Sequence, residues 1–195
     1  MSDEPPSHVL TPLDICNLAL AKLGESPVPA LDPNGSPAAR LCYSHYHPVR
    51  REVLSTNRWS FATTLVTLSA APDAGERNLP HHLPPDCLRV LEVSSPGWTL
   101  RGRSIYCPAA NIKVLYITDE EDTSLFEPLF IEALATRLAC KLCIPLTSST
   151  TAREALTQEY HRLALPQAAH INAVQDRSND THPLYKLWRR SFSQS

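Results

Sequence analysis

Glycine is scarce in this sequence: five of its 195 residues are glycines, and each stands alone along the chain. Loops that hold the phosphates of a nucleotide need several glycines at fixed short spacings, because the backbone must approach the phosphates closely. No such spacing occurs, and no serine, cysteine or aspartate stands in the setting of a known catalytic nucleophile. We therefore expect a protein that is not an enzyme and that binds no cofactor.

Long apolar runs and an excess of one charge are also absent. No apolar stretch reaches the roughly eighteen residues that a membrane span requires, and the first ten residues lack the basic and apolar regions of a secretory signal. The formal net charge of -2 argues against a strongly cationic nucleic-acid-binding protein. We expect a protein that is made and kept in the cytoplasm, has no membrane contact, and touches DNA only weakly and without sequence preference.

Residues that can bind metals occur, but not in the arrangements that metals require. Six cysteines lie mainly within apolar patterns, where a free cysteine behaves as a small hydrophobic residue. Cys140 and Cys143 have the spacing of a zinc-binding pair, yet no second pair accompanies them and a structural zinc site needs four ligands. We expect no metal and no disulfide bond. The neighbouring histidines are interpreted as surface residues: His45, His47, His81 and His82.

Proline is abundant, with eighteen copies that lie mostly between periodic segments, where they indicate stiff connections. Four segments show the apolar periodicity of helices. Thr11 and Asp14 have the spacing of a capping box before the first of them, and Gly24 suits its end. The predictions are helix one from Pro12 to Leu23 with Ile15, Leu18, Ala19 and Leu23 buried, helix two from Ser36 or Pro37, helix three from between Ser124 and Pro128 to Pro145, and helix four from a capping box at Thr151 and Glu154 through Pro166 to Val174.

The second helix carries a basic surface and runs into an aromatic anchor. Its apolar residues recur at three- and four-residue steps and predict one buried face. Pro48 within this pattern predicts a kink or a restart, because proline removes a backbone hydrogen bond. Trp59 and Phe61 then fix the end of the helix to the core. The predicted buried face consists of Cys42, Tyr43, Tyr46, Val49, Val53 and Leu54, and the other sides carry Arg40, Arg50, Arg51 and Arg58.

Short segments rich in β-branched and aromatic residues predict a small sheet between helices two and three. Gly102-Arg103 suits a tight hairpin turn, whereas residues 72–85 have no period and are interpreted as a loop. Strands nested between helices predict an α+β fold, with a four-helix bundle core, an inserted small antiparallel β subdomain and an extended C-terminal tail. The predicted strands are Leu88–Val93, Trp98–Arg101, Ser104–Cys107 and Ile112–Ile117. The predicted divisions are a flexible N-terminal arm at 1–10, the helical core at 11–71 and 119–176, the β subdomain at 72–118 and a C-terminal docking tail at 177–195.

The C-terminal tail combines basic and aromatic residues. Segments that merely solvate a domain are normally poor in aromatic residues, so this composition predicts a segment that folds onto a partner. Trp and Arg side chains often dominate the binding energy of an interface. A terminal helix packed on its own domain is the alternative interpretation. The predicted docking residues are Leu184, Tyr185, Leu187, Trp188, Arg189, Arg190 and Phe192.

Four blocks of sequence, taken in order, resemble the tail tubular protein A family of short-tailed phages, the adaptor that joins the portal to the tail nozzle. The blocks are Asp14–Glu25, Cys42–Ala62, Leu83–Val93 with Trp98 following, and Phe126–Ser148. They are distributed along residues 11–176. Two features depart from the family pattern: Pro166 interrupts a helix that usually continues, and the segment after Arg177 has no counterpart.

The resemblance implies a structural virion protein that assembles in the host cytoplasm. Copies of the chain would form a ring of twelve around the DNA channel, with the helices as its wall. The β subdomain would face the tail nozzle or another tail protein, and the C-terminal tail would reach the portal protein. On this basis Arg40, Arg50, Arg51 and Arg58 are predicted to make ring or lumen contacts, including non-specific contact with packaged DNA. Trp59, Phe61 and Trp98 are predicted to be structural anchors.

A second interpretation comes from a different functional class. The arginines of helix two and the basic C-terminal tail are also compatible with a small cytosolic nucleic-acid-binding or regulatory protein. Phosphate contacts release counterions, so this alternative predicts an affinity for DNA that falls with salt.

Overall fold

The fold combines a helical part with a small β part, as the order of the sequence patterns predicts. The computed structural model describes residues 9–71 and 78–164. These residues form two compact units. The first, which we call the helical unit, contains residues 9–53 and 121–164. The second, which we call the β unit, contains residues 54–71 and 78–120. The predicted α+β class is confirmed.

Four α-helices are present in the described part of the chain. They are α1 (Pro12–Lys22), α2 (Pro37–Thr56), α3 (Pro128–Thr147) and α4 (Thr150–Glu159), and α4 continues into a π-helical turn, Tyr160–Ala164. α3 packs against both α1 and α4. Its side chains are buried around most of the circumference because it is covered on more than one side. None of the helices in the described ranges combines the length and the apolar character that crossing a membrane demands.

The start and the end of α1 agree with the sequence. The backbone N–H of Asp14 donates to Thr11 Oγ1 at 3.2 Å, and the backbone N–H of Thr11 donates to Asp14 Oδ2 at 2.8 Å. This capping box satisfies two backbone donors that the helix itself leaves unpaired. Gly24 has a φ of 72°, the left-handed conformation that the end of the helix requires.

Three details of the other helices differ from the predictions. α2 continues through Pro48, so the restart, one of the two predicted alternatives, does not occur. α3 passes Pro145 and ends at Thr147, whose hydroxyl donates to the carbonyl of Cys143 at 2.8 Å. Proline removes only one hydrogen bond near the last turn, so it does not have to end the helix there. α4 is capped by Ser149 rather than by Thr151, since Ser149 Oγ accepts from the backbone N–H of Ala152 at 3.1 Å.

This assignment of the cap gives a direct test. Replacing Ser149 by alanine should lower the free energy of unfolding by about 1 kcal/mol, because a backbone donor of α4 loses its acceptor. Replacing the exposed Thr151 should change it by less than about 0.5 kcal/mol. Urea denaturation of the two variants measures the difference. A larger loss of stability for Thr151→Ala than for Ser149→Ala would instead support Thr151 as the cap, as the sequence pattern predicted.

The β unit contains six strands in two antiparallel sheets of three. The strands are β1 (Thr63–Ser69), β2 (Leu79–His82), β3 (Cys87–Val93), β4 (Thr99–Arg101), β5 (Ser104–Cys107) and β6 (Asn111–Thr118). The orders are β1-β6-β3 and β2-β5-β4. The last four strands correspond to the four predicted ones, and Arg101 pairs with Ser104 across the predicted Gly102-Arg103 turn. β1 and β2 were not predicted, and β2 lies within the segment interpreted as a loop.

Apolar side chains from both sheets form the core of the β unit. Ile105, Cys107, Ile112 and Val114 are buried there, and Trp98 packs against them. His81 is also fully buried, so its interpretation as a surface residue is wrong. Its Nδ1 lies 3.0 Å from the carbonyl oxygen of Leu79, which provides a polar partner inside the core.

Candidate interaction surfaces

The four arginines predicted to make ring or lumen contacts have different surroundings. Arg40 and Arg51 are exposed on α2. Arg50, in contrast, is 1 % exposed, and its Nη2 donates to Glu121 Oε1 at 2.9 Å within the helical unit. Arg58 lies in the β unit, where its Nη1 is 3.5 Å from Glu92 Oε1. Of the arginines on α2, Arg40 and Arg51 are therefore the exposed ones.

The periodicity of α2 explains why neighbouring arginines differ. Residues 40, 43, 44, 47 and 51 fall on one side of the helix, and all of them are exposed. Arg50 lies at the border between this exposed side and the buried side of α2. It is about 20° around the helix axis from the buried Ala39 and about 20° from the exposed Tyr43. Glu121 supplies a charged partner of the kind that a buried guanidinium needs.

Tyr46 is buried on the same side of α2 as Arg50. Burial raises the pKa of the Tyr46 hydroxyl to about 12, against the opposing effect of the positive charge on Arg50. The phenol therefore stays neutral throughout the physiological range. Tyr46 and Arg50 together form a polar part of the core, and their role in the helical unit is structural.

The predicted anchors differ in depth. Trp59 is fully buried, and the centroid of its ring lies 6.1 Å from that of Phe61, which is half-buried. Trp98 is half-buried against the core of the β unit. A large aromatic side chain removes much apolar surface from water, so the fully buried Trp59 should contribute more to stability than the other two.

A second group of charges lies between α2 and α3 and was not singled out from the sequence. Arg137 Nε donates to Glu52 Oε1 at 2.8 Å, and Lys141 Nζ lies 3.3 Å from Glu52 Oε2. The guanidinium of Arg137 also stacks over the ring of Tyr160 at 5.2 Å. The available signal was the pair of cations four residues apart in a mostly apolar helix.

These cations line a groove between α3 and α4 with a volume of about 680 Å³. Arg137, Lys141 and Arg153 make its wall basic, and Glu154 adds one negative charge. Cys140 lies in the same wall and is buried. In the described ranges, no three His, Cys, Asp or Glu side chains come together as the ligands of a metal ion would. All six cysteines are free thiols.

The charge of Glu52 gives a prediction about pH. Partial burial favours the neutral carboxyl, but hydrogen bonds and charge from Arg137 and Lys141 outweigh it and lower the pKa of Glu52. A lowered pKa in the folded state stabilises the fold above the unfolded pKa, and this contribution disappears as the pH falls through the folded pKa. Glu52→Gln should therefore flatten the loss of stability between about pH 5 and pH 3.

Because the Glu52 side chain is 38 % exposed, solvent screens the interaction, and the loss at neutral pH should be less than about 1 kcal/mol. Thermal unfolding of both proteins as a function of pH provides the measurement. Glu154→Gln, at an exposed position in the same groove, is the control. Parallel pH profiles for the Glu52 variant and the unchanged chain would contradict the assignment.

The predicted docking residues of the C-terminal tail lie outside the described residues, as does the predicted continuation of helix four beyond Ala164. The docking residues are Leu184, Tyr185, Leu187, Trp188, Arg189, Arg190 and Phe192. The predicted N-terminal arm is described only at Val9 and Leu10. These assignments stay predictions.

Comparison with known protein families identifies a match. The family model described as "Tube: Tail tubular protein" matches residues 13–114, slightly more than half of the chain. The matched range begins in α1, includes all of α2 and extends into β6. A search of curated proteins found no match to the chain.

Proposed function

Because the chain belongs to the tail tubular protein family and is therefore a structural protein of phage tails, we propose that it is a head-to-tail adaptor. In this role copies of the chain form a ring of twelve between the portal and the tail, and packaged DNA passes through the ring. The action is binding and sealing, without turnover of a substrate. The family match over residues 13–114 is the observation that carries the proposal.

The arrangement within the ring follows from the resemblance together with the placement of charged residues. The helical core forms the ring wall, the inserted β subdomain faces the tail nozzle or another tail protein, and the C-terminal tail docks on the portal protein. Arg40 and Arg51 contact a neighbouring subunit or DNA, because their side chains are exposed. Arg50 supports the fold of the helical unit instead, since its charge is held by Glu121.

The second candidate is a small nucleic-acid-binding or regulatory protein. The basic groove of Arg137, Lys141 and Arg153 is the observation in its favour. Phosphate contacts by these side chains should give an affinity that falls steeply as salt rises. Fluorescence anisotropy of labelled duplex DNA at several salt concentrations tests this. Triple replacement of the groove cations by glutamine should abolish such binding if the groove is responsible.

The adaptor proposal is tested by the mass of the assembly in light scattering. The chain is measured alone and after mixing with the assembled portal of its phage, beside a version truncated after Asp176. We expect the chain alone to form species smaller than a ring, the mixture to contain a ring on the portal, and the truncated chain to form no ring. If no mixture shows association, the adaptor proposal fails and the DNA-binding candidate takes its place.

A further inference from the structure

An apolar groove opens on the surface of the helical unit, away from the basic groove described above. It has a volume of about 490 Å³ and lies between the segment before α1, α1 itself and the start of α3. Its apolar lining consists of Val9, Leu10, Leu18, Phe126, Pro128 and Ile131. The polar groups at its border are those of Thr123, Ser124 and Glu132.

The exposure of Leu18 is the first sign that something covers this groove. The apolar pattern of α1 predicts that Leu18 is buried, but 41 % of it is exposed. Val9 and Leu125 beside the groove are about half exposed. Single exposed apolar residues are normal, whereas a cluster of them around a groove is characteristic of a protein–protein interface.

The rim of the groove is acidic. Glu132 lies in its wall, and its side chain is 49 % exposed although Oε1 is 2.7 Å from Lys22 Nζ. Asp122 precedes the wall residues Thr123 and Ser124. The hydroxyl and the backbone N–H of Ser124 donate to Asp122 Oδ1 and lower the pKa of this carboxyl, so it is charged at neutral pH. A cationic partner surface fits this rim best.

The exposed face of α2 has the complementary properties. Tyr43 was predicted to be buried, but it is 52 % exposed. Four large apolar residues are exposed in the described part of the helical unit. Val9, Leu18 and Leu125 lie at the groove, whereas Tyr43 lies on α2. Arg40 and Arg51 accompany it on the same side of the helix. Tyrosine with neighbouring arginines is the composition that most often dominates binding energy at interfaces.

We propose that the exposed face of α2 on one copy of this chain, centred on Tyr43, docks into the Leu18 groove of a second copy. Apolar contact area comes from Tyr43 and the groove, and orientation comes from Arg40 and Arg51 opposite the acidic rim. The two surfaces are different parts of the same helical unit. The contact is therefore head-to-tail, and repetition of a head-to-tail contact generates a closed ring when the rotation permits it. This inference rests on the proposed ring and names the surfaces that form it.

The test uses two variants that each damage one surface. Tyr43→Glu destroys the docking face and leaves the groove intact, whereas Leu18→Glu does the reverse. Each variant alone should lose at least about tenfold in self-association and should not form rings on the portal. In a mixture of the two, the intact α2 face of the Leu18→Glu chain can dock into the intact groove of the Tyr43→Glu chain. The remaining surfaces of this pair are both damaged, so no third chain can be added. Sedimentation of this mixture should therefore show a species of twice the 21.6 kDa chain mass that neither variant forms alone.

Leu100→Glu is the matched control, because Leu100 is a similarly exposed leucine of the β unit, with 48 % exposure. It should assemble like the unchanged chain. Unchanged thermal unfolding of both interface variants shows that the substitutions do not act through the fold. The proposal is overturned if either variant forms rings as the unchanged chain does, or if the mixture contains no dimer.

The outcomes also separate this interface from the adaptor function. Rings that form on the portal in spite of Leu18→Glu would leave the adaptor role intact and overturn the interface. A mixed dimer in solution, combined with no association of the unchanged chain with the portal, would support the interface and overturn the adaptor role. A dimer of Leu18→Glu alone would indicate a symmetrical contact between α2 faces and would also overturn the head-to-tail pairing.

Discussion

Replacement of Trp59 by alanine should lower the free energy of unfolding by about 3–5 kcal/mol, the range for removal of a buried tryptophan. Trp59 is fully buried and packs beside Phe61, so the substitution removes apolar contacts and leaves a cavity. Folded domains are commonly stable by only about 5–15 kcal/mol, so this loss is a large fraction of the total. Urea denaturation followed by circular dichroism measures it.

Trp98→Ala is the matched control for this prediction. It is the same substitution in the same β unit, but Trp98 is only half-buried against the core. The expected loss is about half as large, because less apolar surface leaves water when this side chain packs. Equal losses for the two variants would contradict the assignment of Trp59 as the main anchor.

Replacement of Arg50 by alanine should lower the free energy of unfolding by about 2–4 kcal/mol, since a buried side chain and its ion pair are lost together. Glu121, which is left behind, has a side chain that is 66 % exposed and can be solvated, so the cost should not reach the upper limit for broken buried pairs. Thermal or urea unfolding of the variant provides the value.

Arg51→Ala is the control at the next position of the same helix. Arg51 is exposed, so its replacement should change the stability by less than about 0.5 kcal/mol. If Arg51 takes part in the proposed contact between copies, the same variant should weaken ring assembly while its unfolding curve is unchanged. A large loss of stability in Arg51→Ala, or none in Arg50→Ala, would contradict the placement of these two arginines.

Local patterns in the sequence were sufficient for several parts of this protein. The capping box of Thr11 and Asp14, the left-handed Gly24 and the Gly102-Arg103 hairpin turn were all predicted. Each depends on residues within a few positions of one another, so no knowledge of distant packing is needed. The α+β class and the resemblance to the tail tubular family, which the family match confirms, also follow from the order of such patterns along the chain.

The tertiary structure decided which side chains are buried. Arg50 and Arg51 are adjacent arginines on one helix, and the buried one is paired with Glu121, which lies 71 residues after Arg50 in the sequence. Leu18 and Tyr43 satisfy the apolar pattern of their helices but are exposed, while His81, on strand β2, is buried. Strands β1 and β2 were missed because strand formation depends on pairing partners far away in the sequence. Burial depends on what the rest of the chain brings to each side of a helix or strand, and a periodic pattern contains no information about those neighbours. The composition, the caps and turns, the fold class and the family therefore came from the sequence alone, whereas the candidate docking surfaces required the packed structure.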